Sequence, residues 1–503
     1  MPTTANTTDA SKPSYTRPEV IEAQADLTLI HDLLGGPRAM WDKSTTYIRK
    51  WTDEETDVYT IRRLCEPVAD LFGRTLSASV GKLFAKPPKH EAATQEEAFR
   101  AQWENVDAAG TKGDVAAKEF ASDCIADGFA VILVDHTKPP AGLVVTAANE
   151  ATLGLRPTFA FYARESVVSW RTAVIDNVEV LTQLVLYECA EAPVGEFGVA
   201  SVNYYRELRV AGGVASWVLW RAPEKPDQPF IAEDFGTFTN RAGKTRSTLP
   251  IAVGYAGRKE APFVAAPPLR GVAYANLAHW RVATELTFGS QVAAIEQPVV
   301  NGQLLNEDGT AGGRLKIGWL TAVQTEAEGQ FGFAGPSGSG LDQLAKRKVE
   351  KEQEIAAMGL SFISRDTRAA ETAEAKRLDA AAEDSTLATA AQGIEDALNL
   401  AREHEAWYMG VPKAEAPTVT LNRDYESTVL SPEQANAIAA LVKEGMPIRV
   451  AVQTLVTGGF LKAEESEVED IVMEWEAGAA DKAARAEEAR DDAAQRNALP
   501  AAA

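Results

Sequence analysis

Apolar side chains fall at helical spacing soon after the chain begins. Val20, Ala23, Leu27, Ile30, Leu33 and Leu34 share one face, behind Pro18, whose missing N–H costs nothing in a first turn. Gly35-Gly36-Pro37 marks the stop. The same period returns from about Val58 to Phe84, where Ile61, Leu64, Val68, Leu71, Phe72, Leu76, Val80 and Leu83 form the expected buried stripe. Pro67 predicts a kink in it and Pro87-Pro88 its end. Residues 94–126 read as further helix. Phe129–Asp135, FAVILVD, is an unbroken apolar run of strand length, as expected of a strand covered on both faces.

From about Arg156 to Ala222 the period shortens to two and β-branched and aromatic residues dominate. TFAFYA, VLTQLVLYE, NYYRELRV and SWVLWRA read as strands of an antiparallel meander, with turns at Asp176-Asn177 and Gly212-Gly213. Ile251–Tyr255 predicts one more strand. Helix returns over Gly271–Ile295. Gln297–Phe333 is glycine-rich, with the strand-like pieces VVNGQLL, LKIGWL and GQFGFA. Helix resumes over Leu341–Gly359, a polar break covers Ser364–Thr372, and a long helix runs to about Tyr408. Leu430–Trp475 reads as two or three short helices. Strands and helices are not interleaved as βαβ units, so the pattern predicts an α+β, mainly helical fold and not a doubly wound nucleotide-binding sheet.

The ends carry no such pattern. Residues 1–17 are Thr, Ser, Asn and Pro with little else, and are expected to be disordered. Residues 476–503 are a charged, alanine-rich tail with almost no apolar face.

Charge narrows the function classes. With 50 basic and 72 acidic side chains the 503 residues carry a formal charge of -22. Wrapping of nucleic acid needs cations to displace counterions, so that class is disfavoured. A channel wall past which phosphates slide is compatible with it, because a negative surface does not hold them. Cys65, Cys124 and Cys189 are odd in number and far apart, which predicts no disulfide framework and a reducing compartment. His31, His90, His136, His279 and His404 have no metal-ligand spacing. The polar stretch Met1–Lys12 offers no signal core, and no apolar run is long enough to cross a bilayer, so no membrane association is expected.

Candidate chemistry is sparse. Ala242-Gly243-Lys244-Thr245 imitates a phosphate loop, but Phe238 stands where the first glycine is required and Pro250 follows where a helix should begin; a surface hairpin is the better account. Gly335-Pro336-Ser337-Gly338-Ser339-Gly340 lacks nucleophile-elbow spacing and reads as a connector. His279-Trp280-Arg281, on a helix with Glu285, reads as packing. Lys346–Glu354 reads as a solvated charged face, or as a surface between subunits. No catalytic, cofactor or metal residues are assigned.

Six segments in order resemble a portal protein family of tailed bacteriophages and prophages. They are Gly81–Pro88 (GKLFAKPP), Asp127–Asp135 (DGFAVILVD), Pro267-Pro268-Leu269 with Asn276–Arg281 (NLAHWR), Glu354–Leu360 (EIAAMGL), Glu371–Asp379 (ETAEAKRLD) and Leu421–Tyr425 (LNRDY). The resemblance spans about residues 18 to 475. It implies the portal fold of wing, stem, clip and crown, assembled as a homo-oligomeric ring, commonly a dodecamer, at one capsid vertex of the virion. Its partners would be double-stranded DNA in the channel, the terminase large subunit, a head-tail adaptor, and the major capsid and scaffold proteins.

On that plan residues 18–267 would be the wing, 268–295 and 341–363 the stem helices, and 296–340 the clip between them. Residues 364–372 would be the tunnel loop, 373–410 a long wing and crown helix, and 411–475 the crown. Arg365 and Arg368 would face DNA from the tunnel loop, touching phosphates transiently. Two other readings share the composition: another head-tail connector or minor capsid protein, and, more remotely, a metal-dependent hydrolase or nuclease using scattered carboxylates.

Overall fold

The computed structural model describes residues 9–92, 94–136, 154–225, 228–294, 297–306, 310–312, 325, 328–334, 339–359, 373–422, 432–443, 446–457, 468–475, 477–478 and 485. They fall into two compact units, Met1–Arg423 and Asp424–Ala503. The first opens with five helices: α1 (Pro18–Leu34), α2 (Gly36–Asp42), α3 (Ser44–Tyr47), α4 (Thr56–Leu64) and α5 (Leu71–Leu83). After strand β1 (Lys89–Glu91) come α6 (Glu96–Trp103) and α7 (Gly113–Asp127). The sheet region holds β2 (Phe129–His136), β3 (Pro157–Ala163), β4 (Val167–Ile175), β5 (Val178–Val194), β6 (Gly198–Ala211), β7 (Val214–Arg221), β8 (Ile231–Thr237) and β9 (Ile251–Tyr255), then the short β10 (Lys259–Ala261) and β11 (Val264–Ala265). Next are α8 (Arg270–Ala293), β12 (Gln297–Asn301), β13 (Gln330–Ala334), α9 (Ser339–Ala357), α10 (Ala373–Met409) and β14 (Thr418–Thr420). The second unit contains α11 (Pro432–Lys443) and α12 (Ile448–Thr457), which pack on each other.

The fold is α+β: helices and strands are segregated, and every described strand pair is antiparallel. Two sheets matter most. One has three strands in the order β3-β2-β9, the other five in the order β4-β5-β6-β7-β8. Central β2 is buried from Phe129 through Val134, with α7 and α10 packed on its sheet. A strand covered on both faces has no need of alternation, which explains the apolar run. TFAFYA, expected in the meander, instead pairs with β2, Val134 opposite Phe159. The meander is completed by β4 and β8 at its edges. Its predicted turns hold: Asp176 and Asn177 have φ 50 and 63, and Gly212 and Gly213 have φ 57 and 76. Two consecutive positive φ values are what a two-residue hairpin loop needs to match strand twist.

Three expectations need correction. The helix predicted across 58–84 is two helices, α4 and α5, separated at residues 65–70. Pro67 has no N–H for the ladder and disfavours helix in its predecessor. The side chain of Asp70 accepts from Gly73 N at 2.9 Å and so starts a new helix. Ile61 and Leu64, placed in the stripe, are 59% and 40% exposed. Gly35-Gly36-Pro37 ends α1, but Pro37 lies in the first turn of α2, which begins at once. Residues 9–17 are held against the meander: Arg17 N donates to Val168 O (3.0 Å), its guanidinium lies 4.4 Å above the Trp170 ring, and Ser14 and Thr16 are buried.

A charged cluster joins α1 to α7. His31 Nε2 lies 2.9 Å from Asp127 Oδ1 and its Nδ1 3.3 Å from Glu165 Oε2. Burial disfavours the imidazolium, but hydrogen bonds to Asp127 and Glu165 outweigh it and push the pKa up to about 10. A folded-state value above the unfolded one, about 6.5, stabilises fully below that pH, and the contribution is lost as pH rises through about 10. Wild type is therefore expected to lose part of its advantage over His31→Gln between about pH 7 and about pH 11 in urea titrations. A gap of constant size would mean that the ring is neutral throughout.

Candidate functional site: a helical hairpin with a β tip

The helix α8 begins after Pro267-Pro268 and buries Val272, Ala273, Leu277, Trp280 and Ala283. Two polar residues on the same stripe, Asn276 and Thr284, are also fully buried. Asn276 Oδ1 accepts from Leu71 N (3.2 Å) and Phe72 N (2.9 Å), and its Nδ2 donates to Ala69 O (3.0 Å). Leu71 and Phe72 open α5; Leu71 N is shared with Ala69 O (2.9 Å), and for Phe72 N Asn276 supplies from another helix the acceptor that a first-turn N–H lacks. Glu66 O accepts from Trp280 Nε1 (2.9 Å) and Trp41 Nε1 (3.2 Å), and Glu66 Oε2 from Thr287 Oγ1 (2.7 Å). Arg281 Nε donates to Tyr47 O at 2.8 Å. The base of α8 is thereby tied to α5, to α3 and to the segment between α4 and α5.

Helix α9 packs along α8. A Cβ on Gly289 would stand 2.9 Å from Leu341 Cδ2, so the two helices approach closely toward their far end. His279 on α8 is buried, with Nε2 3.2 Å from Glu352 Oε1 on α9. Burial lowers the His279 pKa against the opposing pull of Glu352, which favours the neutral ring. Ile355 and Ala356 are buried.

Away from this base the hairpin is open. Lys346, Arg347, Glu350, Gln353 and Glu354 on α9 are exposed, as are Ser290, Gln291 and Val292 on α8. Lys351 and Glu354 pair at 2.5 Å on this solvated face, a contact worth little by itself. The two helices are joined through β12 and β13, which pair antiparallel from Gln297↔Ala334 to Asn301↔Gln330. The piece LKIGWL lies outside the described residues.

Helix α10 is the opposite kind of element. From Leu387 to Tyr408 it is buried on most sides, as expected of a central helix. Its Gly393 faces the backbone of β9, where a Cβ would stand 2.0 Å from Tyr255 O. Arg402 Nη1 pairs with Glu405 Oε2 at 2.6 Å, both side chains almost fully buried. Burial pushes the Glu405 carboxyl up, with Arg402 opposing. His404 Nδ1 lies 2.7 Å from Arg246 Nη2, and burial followed by the charge of Arg246 lowers its pKa to about 3, so the ring is a neutral acceptor there.

Arg365 and Arg368, the two residues assigned to a DNA-facing loop, lie outside the described residues. The flanking helices end at Ala357 and begin at Ala373. The phosphate-loop imitation is a surface turn: Asn240 Oδ1 accepts from Ala242 N (3.1 Å) and Lys244 N (2.9 Å), and Thr239 bridges to Thr245. Among the described residues no group of three or more His, Cys, Asp or Glu side chains could hold a metal ion, and no helix is long and apolar enough to cross a membrane. Asn276 and the Arg402–Glu405 pair were not singled out from sequence. Asn276 had a signal, a polar residue on an apolar stripe; the ion pair had none.

No curated protein matches the chain. Among solved structures, a chain from the neck of a native GTA particle, computed with C12 symmetry, aligns over 86% of this chain and 97% of its own, at 11% identity and TM-score 0.38. Residues 268–409 match a family described only as a domain of unknown function, DUF4055; the match opens just before α8 and closes at the end of α10, so it takes in the hairpin, its β tip and the long helix and leaves both large sheets outside.

Proposed function

We propose that the chain is the portal protein of a tailed bacteriophage. It would form a homo-oligomeric ring at one capsid vertex, through which double-stranded DNA is packaged and ejected, and which docks the terminase and a head-tail adaptor. The observation that carries this reading is the α8–α9 hairpin: anchored at one end, open along the rest, and bridged by a glycine-rich β insert. Its 24- and 19-residue helices reach about 30 Å at 1.5 Å per residue. Such a paired element is a rigid wall for a channel, and its tip is free to meet other proteins. Val292, Val299, Phe331 and Val349 are 37–48% exposed along it, which suits burial against identical neighbours. The role is structural, with no catalytic step assigned.

The test is native mass. A closed dodecamer of 54.0 kDa chains, seen as rings with a central hole in negative stain, is the expected result; a monomer at every concentration would end the proposal. The segment 364–372 would be the tunnel loop. Arg365→Ala with Arg368→Ala is expected to leave ring mass unchanged while lowering packaged DNA on the order of tenfold, because the lost contacts are to phosphate. Packaging at the wild-type level would remove these arginines from the channel.

A further inference from the structure

The five-stranded meander carries two features that the ring reading leaves unused. The first is an arm. The β5–β6 hairpin is longer than its neighbours: β4 pairs with β5 only as far as Leu186, and β7 with β6 only as far as Tyr204. Beyond them, from Cys189↔Asn203 to Val194↔Gly198, six pairs continue as two strands alone. At 3.3 Å per residue the arm projects about 20 Å. Its turn carries Phe197, 93% exposed, between Val194 (55%) and Val199 (64%). A two-stranded ribbon without a packed face is marginal in water, and both its edges are open to pairing.

The second is a groove of about 910 Å³ between residues 10–22 and the meander. Tyr15, Trp170, Trp220, Pro229 and Phe230 give it apolar walls. Its nearby polar groups are largely turned on one another: Trp220 Nε1 donates to Glu207 Oε2 (3.0 Å), Gln183 Nε2 to Glu207 Oε1 (2.6 Å), and Arg17 Nη2 to Glu19 Oε1 (2.6 Å). Lys12, Glu22, Arg171 and Gln228 also line it, so the groove suits an aromatic side chain held among polar neighbours.

We infer that the tip of this arm, with Phe197 leading, seats in the groove of a second copy of the same chain. The arm cannot serve its own groove: Gln183, Val185 and Glu207 line that groove at the root of the ribbon, and the paired strands hold Phe197 at their far end. Among the described residues the arm and this groove lie at different places on the surface of the chain. Filling one from a neighbour is a heterologous contact, and where the rotation between copies closes, as the ring reading requires, every arm and every groove is satisfied. A foreign partner for the arm would leave the groove open. The inference rests on the ring reading for its setting but makes a claim of its own about contact.

The experiment uses the full chain with Cys189→Ser, which removes the exposed native thiol. Phe197→Cys and Gln228→Cys, at the tip and on the groove rim, are introduced singly and together, oxidised gently and run without reductant. Native mass of the uncrosslinked protein is measured in parallel. The expected result is a ladder of covalent multimers with the pair and none with either single change. Phe197→Asp is expected to raise at least tenfold the concentration at which the assembly dissociates. Rings in solution with no ladder would overturn the arm contact and leave the ring. A ladder from a protein that never forms rings would keep the contact and overturn the ring. Monomers without a ladder would overturn both.

Discussion

Gly393→Ala is expected to destabilise the larger unit by about 3 kcal/mol or more, read as a lower urea midpoint. The sign is the informative part. In an ordinary helix interior the same change stabilises by about 1 kcal/mol, because alanine has the higher helix propensity. Here the new methyl would sit 2.0 Å from Tyr255 O and 3.1 Å from Tyr255 C. That carbonyl belongs to β9, whose register with β2 sets Phe129 opposite Tyr255. Relief requires moving either a strand or a helix buried on most sides, and both lie in the core. An unchanged or raised midpoint would show that α10 does not lie against β9 as described.

The second large effect is expected at Asn276. Asn276→Ala removes the acceptor of the buried Phe72 N and the donor to Ala69 O, while Leu71 N keeps its second acceptor, Ala69 O (2.9 Å). A buried donor left without a partner costs about 1–3 kcal/mol, and the vacated side-chain volume adds to it, so a loss of about 2–4 kcal/mol follows. Asn276→Asp keeps the acceptor for Phe72 N and places a negative charge at the start of α5, where it is favoured, but turns its second oxygen on Ala69 O, so it should recover part of the loss and not all of it. Equal losses from the two variants would assign Asn276 a packing role only. Because the bond fixes the base of the hairpin, Asn276→Ala should also loosen whatever assembly the hairpin supports, seen as dissociation at lower urea than the unfolding midpoint.

Much of the element order was legible along the chain. The helix of Gly271–Ile295, the strand Ile251–Tyr255 and the turns at Asp176-Asn177 and Gly212-Gly213 follow from period and turn chemistry, which are local. Partner choice was not. TFAFYA alternates as a meander strand would, yet it pairs with one edge of β2 while β9 takes the other, and partner choice between distant segments is not written in local alternation. The break at residues 65–70 was read as a kink because apolar spacing continues across it; Pro67 and the Asp70 cap decide otherwise. Ser14 and Thr16 look like any polar terminus, and only the meander beside them makes them buried.

Segment types, the acidic balance, the lack of a recognisable catalytic motif and the helix–insert–helix–break–helix order can all be read along the chain, since each depends on composition or on residues close together. Which polar residues are buried emerges from the packed fold alone. Arg402 and Glu405, three apart on a helix, lie in the core; Asn276 caps a helix whose first residue is 205 positions away. Burial of a polar group depends on what the rest of the chain brings to it, and that information is not local.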